Sequence, residues 1–234
     1  MTRRWDTNAV GTAVVLAAWS GALWFLWLGL GWALHVSPRI FWVVPFGAVV
    51  LSVGTVGRLA TARADRATPL DGRRLWLLAA LALPVVVILA MPSSSLGTYA
   101  ASRRGVYSGI TNLTENGSLQ GSATQVEVAS APYDPEVLKA LAKRAGESVT
   151  FVGFISHEPD ALSDEFLLNR FVVTCCVADA LNALVRVVNV SEGPYRSGQW
   201  VTVTGVLYPL KDQILLDARR ITRIERPKHP YLTP

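Results

Sequence analysis

Cysteine and histidine are scarce in this chain: two cysteines and three histidines among 234 residues. That scarcity excludes a disulfide-stapled scaffold and a structural zinc module built from paired Cys-x-x-Cys knuckles. No His-Glu-x-x-His helix, nucleophile elbow or phosphate-binding Gly-rich loop occurs either, so the expectation is a protein that is not an enzyme. Charge is sparse as well, at 17% of residues against 51% hydrophobic, and the apolar content is concentrated before residue 92. The stretches 9–34, 40–56 and 75–91 contain no Asp, Glu, Lys or Arg. Proton relays and ion pathways need ionisable groups inside the membrane, so these stretches alone make a poor transporter.

What is present reads first as a membrane anchor. Residues 9–34 carry Trp19, Trp24, Trp27 and Trp32 and exceed the roughly 20 residues a helix needs to span, an excess that tilt absorbs. A signal peptide is the competing reading, but the run is too long for an h-region and no small-residue cleavage site follows it. After His35-Val36-Ser37-Pro38-Arg39 comes the return span, residues 40–56, with Pro45, Gly47 and Gly54, which membrane helices tolerate. Residues 75–91, interrupted only by Pro84, sit at the lower length limit and form the third predicted transmembrane helix. Ala13, Ala17 and Gly21 recur at four-residue spacing, a small-residue ridge that lets another helix approach closely, or chance spacing in an alanine-rich run.

Basic residues cluster at Arg3-Arg4 and again at Arg58, Arg63, Arg66, Arg73 and Arg74. Such residues near span ends stay cytoplasmic. Three crossings put both clusters inside, with everything after Met91 extracytoplasmic in a cell membrane. The net charge of +5 therefore records topology and contact with the lipid bilayer, and no nucleic-acid motif accompanies it.

The expected organisation is a transmembrane region at 1–91, a connector at 92–131 and an extracytoplasmic β-domain at 132–234. The connector is rich in Ser, Gly, Thr and Asn, with a short strand predicted at 125–128. Its sequons, Asn112-Leu113-Thr114 and Asn116-Gly117-Ser118, double as turn signals and carry no assigned function. Asp134-Pro135 opens a helix that Gly146 stops, predicted over 135–145. Beyond it, β-branched runs at 148–155, 166–176, 184–190, 199–208 and 213–224, the last with a break near Asp217, predict a small all-β barrel, OB-like, with a two-sheet sandwich as the alternative.

The chemistry-bearing feature is Cys175-Cys176, the only thiols and immediate neighbours. Neighbouring Cα atoms lie about 3.8 Å apart, closer than an ordinary disulfide allows. In a regular strand the two side chains point to opposite faces, so both serve one ligand only if the backbone bends there. Three readings stay open: buried small hydrophobes, a bent site for zinc or another thiophilic metal, or redox-active thiols in a membrane-tethered protein. Asp179 and His157 are the other candidate metal ligands, provided turns near 157 and 177 bring them together. The alternative for His157 is an exposed loop histidine beside Glu158.

Several segments together carry a resemblance: Pro38-Arg39, Val152-Gly153-Phe154, residues 166–180 with Arg170, Cys175-Cys176 and Asp179, Trp200-Val201-Thr202-Val203-Thr204-Gly205, and Pro227-Lys228-His229-Pro230-Tyr231. In these the chain resembles the YcgQ-type family, an uncharacterised group of bacterial membrane proteins described as permease subunits. The resemblance implies a partner, a separate multi-span permease of the YcgR type. It also places Arg170 among the residues of interest. The chain departs from the simpler two-span picture of that family by its third apolar run.

Overall fold

The computed structural model describes residues 4–29, 31–64, 71–90, 96–107, 121–158, 162–191, 193 and 195–233. The chain divides into two compact units, Met1–Ser93 and Ser94–Pro234, each described by itself.

The first unit holds three helices long and apolar enough to cross a membrane. Helix α1 (Thr7–Leu28) starts where the Asp6 carboxylate accepts from the amides of Asn8 and Ala9, satisfying donors the first turn leaves orphaned. It ends six residues before the predicted limit, because Gly29 caps it and 31–34 forms a separate 3-10 turn. Helix α2 (Val43–Ala60) returns, with Arg58 in its last turn, and α3 (Gly72–Ala90) follows with Pro84 inside it. Helices α1 and α2 meet through small and hydroxylated residues. Ala9, Ala13, Val44 and Ala48 are buried, the Ser20 and Ser52 hydroxyls lie 2.7 Å apart, and the Trp24 indole N–H donates to Ser52. Small side chains allow close backbone approach where lipid supplies no hydrophobic drive. Of the predicted ridge only Ala13 is buried; Ala17 and Gly21 face outward. Strand β1 (Arg4–Trp5) pairs antiparallel with β2 (Arg63–Ala64), so one residue of each basic cluster, Arg4 and Arg63, lies in this ladder.

In the second unit a short helix α4 (Thr98–Ala101) is followed by α5 (Gln125–Ser130) and α6 (Pro135–Ala142). The strand predicted at 125–128 is therefore a helix. Gln-Val-Glu-Val alternates like a strand, but Thr124 and Glu127 cap each other's backbone in a capping box, and that local bonding decides the conformation. Asp134 caps α6 as the sequence led one to expect, and Val137, Ala140 and Leu141 form its buried stripe. The sequons at 112–118 lie outside the described residues.

Strands β3 (Ser148–Ser156), β4 (Phe166–Val172), β5 (Leu181–Val188), β6 (Trp200–Leu210) and β7 (Gln213–Arg223) close into a barrel in the order β3-β4-β5-β7-β6. All pairs are antiparallel except β5 with β7, which is the Greek-key closure expected of an OB-like barrel. The interior is filled by alternate residues, among them Val149, Phe151, Ile155, Leu168, Val185, Val201, Val203 and Leu216, and Val137 and Leu141 of α6 pack into the same cluster. Each fully buried Val, Leu or Phe side chain contributes roughly 1.5–3 kcal/mol. Strand β7 continues through Asp217; the irregularity lies two residues further, where Arg219 is the extra residue opposite Thr204 and Gly205. A Cβ on Gly153 would come within 2.5 Å of the Asn169 carbonyl oxygen, which is why glycine stands there in the strand.

The outward face of β3 and β4 is covered instead of solvated. Phe154, Phe171, Val173, Ala180 and Tyr231 form a second cluster with Leu96 and Trp200 packed against it. The segments 96–107 and 227–232 supply that cover and thereby position the thiol pair.

Candidate functional site

Strand β4 stops at Val172, four residues short of the predicted limit at Cys176, because the chain changes partner there. Val173 N–H donates to Leu232 and Leu232 N–H donates to Phe171, so the C-terminal segment binds across the strand's end. The next residues turn around Asp179. Its carboxylate accepts from the amides of Thr174 (3.1 Å) and Cys175 (2.7 Å), while its own amide donates to the Cys176 carbonyl (3.0 Å). A 3-10 turn, Val177–Asp179, closes the loop.

A second anchor comes from far away in sequence. One guanidinium nitrogen of Arg104 donates to the carbonyls of Val177 (2.6 Å), Ala180 (3.1 Å) and Ala178 (3.4 Å). One charged nitrogen shared among several acceptors suits a curled backbone whose carbonyls converge. Segment 104–107 is itself tied to β5, since Asn182 N–H donates to Gly105 and Tyr107 N–H donates to Asn182.

This bend brings the two thiols to one side, with their sulfurs 3.8 Å apart. Cys175 is exposed and Cys176 half-buried, so neither is a buried core residue. The side-chain hydrogen bond to Asp179, then that to Cys176, pushes the Cys175 thiol up to about 11, which keeps it protonated at neutral pH. Asp179 moves the other way. Burial opposes its ionisation, but hydrogen bonds from the Cys175 thiol and from the amides of Cys175, Thr174 and Cys176 outweigh it and hold the carboxyl below its ordinary range.

The other predicted ligand is elsewhere. His157 is exposed at the end of β3 and its Nδ1 lies 3.2 Å from Ser197 Oγ. It lines a cavity of about 560 Å³ with Tyr99, Ser102, Ser156 and Asn169 that includes neither cysteine. Among the described residues no three His, Cys, Asp or Glu side chains come together to hold a metal ion. Thus the structure joins Asp179 to the thiols as a brace of their turn and leaves His157 outside.

Arg170 binds the backbone of the C-terminal segment. Its Nε donates to Pro230 (3.2 Å) and its Nη2 to His229 (3.1 Å), fastening the C-terminal segment, and burial lowers its pKa. The Pro227–Tyr231 motif and Arg170 thus belong to one device.

Sequence reasoning missed three residues. Arg104 looked like part of a polar connector. Asn169 and Asn182 are fully buried, and Asn182 Nδ2 donates to Asn169 Oδ1 at 2.8 Å. An asparagine inside Leu167-Leu168-Asn169-Arg170-Phe171 is the signal that was available, since a buried amide needs partners. Asn169 Nδ2 finds them in Ser156 Oγ (2.8 Å) and the Leu167 carbonyl (2.9 Å).

No curated protein and no solved structure matches the chain. A family model does match its C-terminal part, beginning at Thr124, the residue that caps α5. Residues 124–234, which carry the barrel and the thiol turn, match the model of the DUF1980 C-terminal domain, an uncharacterised family.

Proposed function

We propose that this protein is an accessory subunit of a bacterial membrane permease, a multi-span partner of the YcgR type. Its three helices anchor and dock, and its barrel, on the extracytoplasmic side, acts on the partner. The observation that carries this reading is the contrast within the first unit. Helices α1, α2 and α3 are long and apolar enough to cross, yet Asp, Glu, Lys and Arg occur only near their ends, as Arg58, Arg73 and Arg74. A membrane protein without ionisable groups in its spans has little with which to move an ion or polar solute alone. The attached domain carries no recognisable catalytic motif. An anchor plus a non-catalytic β-domain fits a helper better than a transporter or an enzyme. The joining of Arg4–Trp5 to Arg63–Ala64 supports the assigned orientation, because it gathers basic residues at one end, the end expected to stay cytoplasmic.

The test is affinity purification of the full-length protein from native membranes in mild detergent, followed by mass spectrometry. A multi-span permease in fixed ratio is the expected result. Recovery of the protein alone, under conditions that preserve other membrane complexes, would refute the reading.

A further inference from the structure

We propose that Cys175 and Cys176 form an open two-sulfur clip for a thiophilic divalent ion of tetrahedral preference, of which zinc is the type, with the remaining coordination positions filled from outside the chain. The proposal is independent of the permease reading, since the clip requires no partner in order to bind.

The first argument is the separation. At a metal–sulfur distance of about 2.3 Å, a tetrahedral angle sets two sulfurs about 3.8 Å apart, whereas a linear arrangement at that bond length needs about 4.6 Å. The sulfurs stand at 3.8 Å. Van der Waals contact permits that spacing as well, so the second argument is what maintains it. Adjacent side chains in a strand diverge. Here the Asp179 carboxylate gathers the amides of Thr174 and Cys175, and Arg104 gathers the carbonyls of Val177 and Ala180, so the backbone bends and both thiols share one side. An ion would meet two sulfurs already on one side, and would displace the proton by which the Cys175 thiol is bonded to Asp179.

The third argument is access. Cys175 is exposed and Cys176 only half-buried, which suits an ion that arrives and leaves. The donor count agrees. Asp179 already serves the amides of its own turn, His157 lines a separate cavity, and no three-residue metal cluster exists among the described residues. Structural zinc sites are closed by four protein ligands; a two-donor site leaves positions for water or for the donors of another molecule. Binding would form two metal–sulfur bonds, release the two thiol protons to solvent and change no oxidation state. A disulfide between the same residues would instead require the sulfurs to close to about 2.05 Å and an oxidant to take two electrons.

Cadmium is the probe, because its thiolate charge-transfer absorption reports sulfur ligation directly. Reduced, metal-free, full-length protein in detergent is titrated with cadmium, alongside Cys175→Ser, Cys176→Ser, the double variant and His157→Ala. The expected result is one ion per chain with sulfur-ligation absorption, reduced at least tenfold in affinity by either serine substitution and unaffected by His157→Ala. Equal uptake by the double variant would overturn the proposal, as would no uptake by wild-type protein whose two thiols titrate as free. Saturation at half an ion per chain, lost in the serine variants, would support the clip and identify the outside donors as the thiols of a second copy of the chain. Because the substitutions lie on an exposed turn, unchanged melting of the metal-free variants distinguishes lost donors from a lost fold.

Discussion

At the scale of single residues, the thiol turn shows how one carboxylate sets both a shape and a reactivity. Asp179 braces the amides ahead of it, and its bond to the Cys175 thiol raises that thiol to about 11. The sign for Cys175 follows from the raised value: the folded state favours the protonated thiol, a contribution present below the ordinary thiol pKa and lost as pH climbs toward 11. Asp179 has the opposite sign, since its lowered pKa contributes stability above the ordinary carboxyl range that disappears as pH falls through the lowered value. Thiolate is the nucleophile. In a Cys176→Ser background, alkylation of Cys175 by iodoacetamide should therefore be slow at pH 8 and accelerate toward pH 11. Asp179→Asn should raise the rate at pH 8 by about tenfold or more. Equal rates in the two proteins would show that Asp179 does not control the thiol.

At the scale of elements, the notable connections are those between segments distant in sequence. The end of β4, the turn 173–180 and the tail 227–232 are secured by Arg170, Arg104 and the Leu232 ladder bonds. Removing the Arg170 side chain leaves the His229 and Pro230 carbonyls without their guanidinium donors. Arg170→Ala should cost about 1–3 kcal/mol in unfolding free energy and speed tryptic cleavage after Lys228, while Arg170→Lys should not restore the wild-type rate because lysine lacks the fork. Proteolysis at the wild-type rate in Arg170→Ala would mean that the tail is held by other contacts. Legibility at this scale was uneven. Helix α6 could be read from Asp134-Pro135 because both its cap and its buried stripe are local. Helix α5 was misread because alternation over Gln125-Val126-Glu127-Val128 mimics a strand, whereas the capping pair Thr124 and Glu127 was the decisive signal. Strand β4 was drawn too long because Val-Val-Thr-Cys-Cys-Val has strand propensity, and only the docked tail and the Asp179 turn end it.

At the scale of the whole molecule, the match to the DUF1980 model begins at Thr124, yet Arg104 and the packing residue Leu96 lie before it and within the same compact unit. A fragment covering 94–234 should therefore fold alone, with a cooperative melt and a β-rich circular dichroism spectrum. A fragment covering 121–234 should melt several degrees lower, because it lacks the Arg104 anchor and the cover over Phe154 and Phe171. Identical melting of the two would make segment 96–107 an ornament of the barrel instead of part of its structure. The division between what sequence and tertiary structure each decide follows the range of the forces involved. Three apolar runs without interior charge, the Asp134-Pro135 cap and five alternating β-branched runs determined three long apolar helices, the start of α6 and an all-β domain by themselves, since burial and capping act on neighbours along the chain, while the choice of barrel over sandwich was left to the strand order. The strand order, the arrival of Arg104 and Leu232 beside the thiols and the departure of His157 from them were decided only by folding, because each joins residues tens of positions apart through hydrogen bonds that no local spacing encodes.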